Sequence, residues 1–285
     1  MNDTAKPKNP NKTLYFDGDC PMCTVYSSAF KQTGILSTEG TAHLNGATSL
    51  IAPNLDLQRA RHEIPLVDHS TGKVEYGIDS LCALLSSIHP IIGWLIKTFR
   101  LRIILNPLYH LISFNRRILS GSKSDLGMAP DFNFTYRLSW LVFAGLISLG
   151  ISAWAGSQMI PAFFEVSSLT AALMACALVG PAWIIMSLFG LLKLGGIKRW
   201  DYFGQLFTVM FLGVIVWLPG ILFWNGSVSL IMPLLFTAIS FTLMANAWYK
   251  RVYTLELSVK WFYLWIASLW ISAVICTFFL GLTKL

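Results

Sequence analysis

Two cysteines near the start of the chain, Cys20 and Cys23, have a spacing that suits redox or metal chemistry. They lie in the stretch TLYFDGDCPMCTVYSSAF, separated by a proline and a methionine. A pair with this spacing can close a disulfide, form half of a zinc site, or occur by chance. Asp17 precedes the first cysteine by three residues and is the nearest candidate proton acceptor. The elements around these residues must decide among the three possibilities.

The local pattern predicts that Cys20 stands at the start of a helix. TLYF alternates and is rich in β-formers, which predicts a strand, and DGD predicts a turn. Pro21 suits the first helical turn because its missing N–H costs nothing there, and Gly34 can end the helix. At such a position the helix dipole and unpaired N–H groups favour thiolate, which is the attacking form of cysteine.

This placement predicts different roles for the two sulfurs. We expect Cys20 to be the exposed nucleophile, and Cys23, one turn on, to be the more buried thiol that resolves a mixed disulfide. Asp17 either accepts the proton of Cys23 or caps the turn before the helix, where Asp19 is the expected N-cap. Structural zinc is disfavoured because none of the five histidines forms a ligand spacing with another Cys or His. We therefore expect no metal and no cofactor.

The motif YFDGDCPMC resembles the signature of the DCC family of thiol-disulfide oxidoreductases, named for Asp-x-x-Cys-x-x-Cys. The segments YGIDSLCALL and PLYHLISFNRR also resemble that family, so the likeness covers about residues 12–119. It implies a thioredoxin-like α/β fold, catalysis by Cys20 and Cys23 with Asp17, and protein or small-molecule thiols and disulfides as partners. Unlike thioredoxin, the chain lacks a Trp before the first cysteine and Gly-Pro between the two, which leaves redox potential and partner choice open.

A second segment fits the same fold. HEIPLVDHSTGKVEYGIDSLCALLSSI predicts a strand, a turn, a strand and a helix. In thioredoxin-like folds a cis-proline opens the strand that faces the cysteine pair, and a hairpin and a helix follow it. Ile64 and Pro65 stand at that place in the sequence. We therefore expect a cis bond between them and a substrate-binding role for both residues.

The second half of the chain predicts a membrane domain of five helices. The protein has 285 residues, of which 55% are hydrophobic and 12% charged, which is too apolar for an ordinary soluble protein. Apolar segments of about 18 to 24 residues can cross roughly 30 Å of hydrocarbon as helices. The five predicted spans are 138–155, 169–192, 202–224, 228–249 and 259–282.

The distribution of positive charge predicts the orientation of the chain. The net charge is +7, but the basic residues form short clusters between apolar runs, which is typical of membrane proteins and argues against nucleic acid as a partner. The clusters alternate along the loops: Lys97, Arg100, Arg102, Arg116, Arg117, Lys123 and Arg137, then Lys193, Lys198 and Arg199, then Lys250, Arg251 and Lys260. This alternation predicts an integral protein of a bacterial inner membrane with a cytoplasmic N-terminal domain and the C-terminus outside.

The resulting domain plan is a disordered lead-in (1–11), a thioredoxin-like domain (12–119), a linker (120–137) and a five-helix transmembrane domain (138–285). The thioredoxin-like domain ends in a basic amphipathic helix that we expect to begin at Asn106 and Pro107. Its apolar residues are Leu108, Leu111, Ile112 and Ile118. This helix either lies against the globular domain or the anionic inner leaflet, or is an ordinary packed helix of the soluble domain.

Three functions remain open from the sequence. The first is a membrane-anchored thiol-disulfide oxidoreductase. The second is a non-catalytic interaction module attached to a helix bundle. The third is a carrier of thiol reducing equivalents across the membrane, in which Cys176 and Cys276 of the second and fifth spans would take part. The sequence favours two small apolar side chains at these positions over a redox role, and it does not determine the oligomeric state.

Overall fold

The computed structural model describes residues 7–46, 53–88, 91, 94, 101–123, 128–223 and 231–282, with side chains up to Phe278. The chain divides into two compact units. The N-terminal unit is Met1–Arg137 and the helical unit is Leu138–Leu285. Residues 1–6 of the predicted lead-in, Lys97, Arg100, residue 224 of the third predicted span and residues 228–230 of the fourth lie outside the described residues.

A four-stranded sheet forms the centre of the N-terminal unit. Its strands are β1 (Lys12–Phe16), β2 (Thr41–His43), β3 (Pro65–Asp68) and β4 (Val74–Tyr76). The order in the sheet is β2-β1-β3-β4, with β1 parallel to β2 and the other two pairs antiparallel. The register pairs Leu14 with Thr41 and with Leu66. The predicted first strand and the predicted hairpin are thereby confirmed.

The part of this unit that the structure describes includes the helices α1 (Pro21–Gln32), α2 (Leu57–Ala60), α3 (Ile78–Ser86) and α4 (Arg102–Ser120). Side chains alternate along a strand, so β1 serves two cores. Leu14 and Phe16 pack with the two cysteines, Ile64 and Leu84, while Tyr15 packs with Leu44 and Val67. The first of these cores holds the candidate site.

The predicted start of α4 at Asn106 is wrong. The helix begins at Arg102, and Pro107 lies inside it. The backbone N–H groups of Ile104 and Leu105 both donate to the carbonyl of Leu101, so the first turn is already closed before the proline. A proline this near the start of a helix removes one backbone hydrogen bond, which the other turns of a 19-residue helix outweigh.

The prediction of five apolar helices long enough to cross a membrane is confirmed. The helices are α5 (Phe134–Met159), α6 (Ser168–Lys193), α7 (Gly196–Ile215), α8 (Trp217–Leu222), α9 (Ile231–Thr254) and α10 (Lys260–Leu282). The candidate spans are Phe134–Ala162, Ser168–Lys193, Gly196–Leu222, Ile231–Thr254 and Lys260–Phe278, the third of them joining α7 and α8.

Glycines bring the helices of the helical unit close together. A Cβ atom added at Gly190 would lie 2.3 Å from the Tyr202 ring, and one at Gly213 would lie 2.2 Å from the sulfur of Met244. The Tyr202 hydroxyl donates to the carbonyl of Met186 at 2.9 Å, and Ser240 donates to the carbonyl of Gly213 at 2.8 Å. Such close packing and interhelical hydrogen bonds are the usual means of holding helices together where no hydrophobic effect acts between them.

Candidate functional site

The loop between β1 and α1 places Cys20 at the N-terminus of α1, as predicted. Cys20 is the N-cap residue, with an extended backbone (φ −96, ψ 107), and Pro21 occupies the first helical position. The N–H of Cys20 donates to the carbonyl of Asp17 at 3.2 Å, which closes the preceding turn. The expectation that Asp19 is the N-cap is wrong, because the helix starts one residue later.

Asp17 is the anchor of this loop. Its side chain is buried, and its Oδ2 accepts hydrogen bonds from Arg117 at 2.7 Å and from Arg116 at 3.1 Å. Its Oδ1 accepts the backbone N–H of Asp19 at 3.1 Å. Both guanidinium groups come from α4, about a hundred residues away in sequence, and Arg116 also donates to the carbonyl of Met128. These contacts favour the turn-capping role of Asp17, because both of its carboxylate oxygens already accept hydrogen bonds.

The two thiols are electrostatically polarised. The Cys23 thiol donates a hydrogen bond to the Cys20 sulfur, and this bond lowers the pKa of Cys20 to about 6. The positive charge of Arg116 acts in the same direction, while burial and the negative charge of Asp17 oppose it. The same bond, together with burial, raises the pKa of Cys23 far above its usual value. The pair therefore holds one thiolate and one proton donor near neutral pH.

The expectation that Cys20 is exposed is wrong. Cys20 has no accessible surface, and Cys23 is 4% exposed. The cause is tertiary: α4 is bound to the loop through Asp17, and Arg117 also reaches the Asp19 carbonyl at 3.5 Å. Cys20 consequently packs in the apolar core with Leu14 and Phe16. A disulfide-containing substrate can reach this sulfur only if the loop or α4 moves.

No protein-family model, curated protein or solved structure matches this chain. Among the described residues no group of three or more His, Cys, Asp or Glu side chains is placed to hold a metal ion. The cysteines are all free thiols in the structure.

The predicted cis bond before Pro65 is absent, since the described residues contain no cis peptide bond. The trans form is the lower in free energy by default, and here it satisfies the backbone of Ile64. The Ile64 N–H donates to the Tyr109 hydroxyl at 2.8 Å, and its carbonyl accepts from Gly77 and Ser80. Ile64 and Pro65 are both buried, and Ile64 shares the core of the two cysteines. Their substrate-binding role stays a prediction.

The sequence did not lead us to predict Arg116, Arg117 and Tyr26 as neighbours of the thiols and their loop. Arg116 and Arg117 were assigned only to a basic helix, although the adjacent pair of arginines in PLYHLISFNRR was visible. Tyr26, one turn after Cys23, donates a hydrogen bond to it, and burial raises the pKa of Tyr26 well above the usual value. The spacing of three residues along the helix was a usable signal for this contact.

His43 is a further neighbour that the sequence did not indicate. Its exposed ring lies against Phe16, with the ring centroids 4.9 Å apart. A Cβ atom at Gly18 would lie 2.1 Å from its Nδ1, so only glycine allows the ring to approach the loop this closely. The DGD turn before the cysteines therefore requires its glycine for space.

Cys176 and Cys276 do not meet. The Cys176 thiol donates to the carbonyl of Leu149 on α5 at 3.8 Å, and the Cys276 thiol donates to the carbonyl of Met174 on α6 at 3.6 Å. Each sulfur is thus directed at the backbone of a neighbouring helix.

Proposed function

We propose that this protein is a membrane-anchored thiol-disulfide oxidoreductase that uses the Cys20–Cys23 dithiol. The observation that carries this proposal is the polarised pair, in which Cys23 donates to a Cys20 sulfur whose pKa is lowered to about 6 at a helix N-terminus. A buried structural cysteine has no such arrangement, because burial alone raises a thiol pKa. Five helices able to span a membrane supply the anchor.

The proposed reaction has two exchange steps. The Cys20 thiolate attacks one sulfur of a substrate disulfide, which forms a mixed disulfide and releases the other sulfur as a thiolate. Cys23 then loses its proton and attacks the Cys20 sulfur, which releases the second substrate sulfur and leaves a Cys20–Cys23 disulfide. Two electrons pass to the substrate, whose sulfurs take up two protons. A thiol reductant restores the dithiol by the reverse exchange.

We further propose a thioredoxin-like fold for residues 12–119 and membership in the DCC family. The strand order β2-β1-β3-β4 supports the fold, as does the parallel βαβ unit followed by an antiparallel hairpin and helix. The site argues in the same direction because the cysteine pair starts the helix after β1 and packs against Ile64 before β3. The trans bond before Pro65 is the departure from this pattern.

We also propose an orientation of the chain in the membrane. The alternation of basic loops supports a cytoplasmic N-terminal unit and an external C-terminus in a bacterial inner membrane. In that reducing compartment the pair would act as a reductase or cycle transiently. Reporter fusions test this: a phosphatase active only outside the cytoplasm should be active after Leu285 and inactive when fused before the N-terminal unit. The opposite pattern would overturn the orientation.

The burial of Cys20 favours a second candidate, a non-catalytic interaction module with inert thiols. The two functions differ in whether the loop opens on the time scale of disulfide exchange. Local opening of a loop costs less free energy than global unfolding, so a covered thiol can still react. The proposal therefore requires opening, and the alternative requires that the loop stay closed.

A redox titration of the full-length protein in lipid decides between them. We expect Cys20 and Cys23 to form a reversible disulfide across a range of glutathione ratios, detected by mass spectrometry of the alkylated peptide. Cys20→Ser should lower disulfide reduction to the background rate, while Cys23→Ser should trap a mixed disulfide. Cys82→Ser, at a half-buried thiol on α3, is the matched control and should leave the rate unchanged. If the pair stays reduced at every ratio, the oxidoreductase function is lost.

A further inference from the structure

Helix α4 carries an apolar stripe on the outside of the N-terminal unit, defined by Ile104, Leu108 and Ile112. These residues are 68%, 45% and 38% exposed, and their spacing of four places them along one face. The neighbouring Ile103 is 69% exposed. In the same helix the polar residues Ser113, Asn115 and Arg116 are buried. The helix therefore exposes apolar side chains in its first half and buries polar ones in its second half.

The polar side chains of α4 bind the thiol loop and the segment before β3. Arg116 and Arg117 bind Asp17, Tyr109 accepts the Ile64 N–H, and Ser113 donates to the carbonyl of His62. These contacts are made from other positions of α4, and the apolar stripe is left exposed.

Helix α4 contacts the residues with which the first candidate span begins. Asn115 lies one turn beyond Ile112 and Leu111 on the same side of α4. Its Nδ2 donates to the carbonyl of Tyr136, and its Oδ1 accepts the Nε–H of Arg137, both at 2.9 Å. Tyr136 and Arg137 are in the first turn of the span Phe134–Ala162. This contact joins the second half of α4 to the residues at the start of that candidate span.

We propose that the stripe Ile104, Leu108 and Ile112 contacts the lipid surface. The occupant is lipid because the adjoining segment is a candidate membrane span. The sequence just before the stripe also carries Lys97 and Arg100, which would attract anionic headgroups. Helix α4 thus holds the thiol loop through Arg116 and Arg117 and rests on the bilayer through the stripe. This inference is independent of whether the thiols react.

Site-specific photocrosslinking of the full chain tests this contact. A benzophenone amino acid replaces Ile104 in one variant and Leu108 in another, and each protein is reconstituted in phosphatidylethanolamine–phosphatidylglycerol vesicles. Val25, which is 70% exposed on α1, is the matched control position. After irradiation, phospholipid adducts on the tryptic peptides are quantified by mass spectrometry, and circular dichroism checks each fold.

We expect phospholipid adducts at positions 104 and 108 at least about tenfold above those at position 25, because only a residue in the interface meets acyl chains. Two positions are labelled so that, if one variant misfolds, the other still tests the contact. Adducts no more frequent than at Val25 would overturn the inference. Crosslinks to a second copy of the chain in place of lipid would overturn it as well.

Discussion

The cysteines of the N-terminal unit and those of the helical unit show how placement decides thiol chemistry. Cys20 is at the start of a helix and accepts a hydrogen bond from a second thiol. Cys176 and Cys276 are inside helices and donate to backbone carbonyls. An acceptor carbonyl stabilises the protonated thiol, whereas a donor and a helix N-terminus stabilise the thiolate. The hydrogen-bond partner of a sulfur therefore has more influence on its chemistry than the depth of its burial, since all three sulfurs are shielded from water to some degree.

The largest expected effect comes from removing the charge that holds the loop of Cys20. Asp17→Asn leaves two buried guanidinium groups without their carboxylate, which should cost about 3–5 kcal/mol of stability. The midpoint temperature at which the N-terminal unit unfolds in the full-length protein should fall by roughly 10 °C. Asp131→Asn is the control, because Asp131 pairs with Arg61 with its side chain 61% exposed and should cost less than about 1 kcal/mol. Equal shifts for the two variants would show that Asp17 does not anchor the loop.

The second prediction removes the hydrogen-bond donor that distinguishes Cys20 from the span cysteines. The thiolate is the deprotonated form, so alkylation of Cys20 should rise with pH through about 6 in the wild type. In Cys23→Ala the rise should move to about pH 8.5, the value of a free thiol. At pH 7 the rate should fall only about two- to threefold, because a thiolate fraction about 30-fold smaller is largely offset by greater intrinsic nucleophilicity.

The measurement is the rate of methylthiolation of the Cys20 peptide by a small reagent between pH 5 and 9. Cys23→Ser is the matched control, since its hydroxyl retains a donor and should give an intermediate profile. Identical profiles for the wild type and Cys23→Ala would mean that Cys23 does not acidify Cys20.

The third prediction concerns the turn before Cys20. Gly18→Ala places a methyl group against the His43 ring and should cost about 1–2 kcal/mol, because the ring has to leave Phe16. The double variant Gly18→Ala with His43→Ala should recover most of this loss, as a double-mutant cycle in chemical denaturation would show. A cost that persists in the double variant would place its origin in the backbone of the turn.

The smallest effect is expected in the helical unit. Cys176→Ala and Cys276→Ala remove thiols that only donate to backbone carbonyls. The rate of disulfide reduction by the full-length protein in vesicles should therefore change by less than about twofold. A loss of the reduction of an external disulfide, with reduction of an internal one unchanged, would instead support the carrier hypothesis and break the contrast between the two regions.

Local patterns predicted much of the N-terminal unit. The alternation in TLYF identified β1, the turn and Pro21 identified the start of α1, and the hairpin before α3 followed from β-formers around HSTG. The five apolar segments identified the candidate spans, with boundaries that differ by several residues because helices extend beyond the hydrophobic stretch. In each case neighbours in sequence supply the physical cause.

The candidate site was predictable only in part. The types and spacing of Cys20, Cys23 and Asp17 were sufficient to choose them, but they did not reveal the two arginines that bind Asp17 from α4. The burial of Cys20 follows from that same long-range contact, so the expectation of an exposed sulfur had no local signal to correct it. The outward apolar side of α4 was equally hidden, since the helical pattern alone does not say which face meets the domain.

The sequence by itself determined the elements of this protein: a strand, a turn and a helix that begins at Cys20, and five apolar stretches able to cross a membrane. Backbone propensity and hydrophobic length are properties of contiguous residues, and they act before any tertiary contact forms. The tertiary structure decided the environment of the thiols, because Arg116 and Arg117 reach Asp17 only when α4 folds against the loop. Charge and desolvation depend on what lies within a few ångströms in space, and the order of residues along the chain does not specify that.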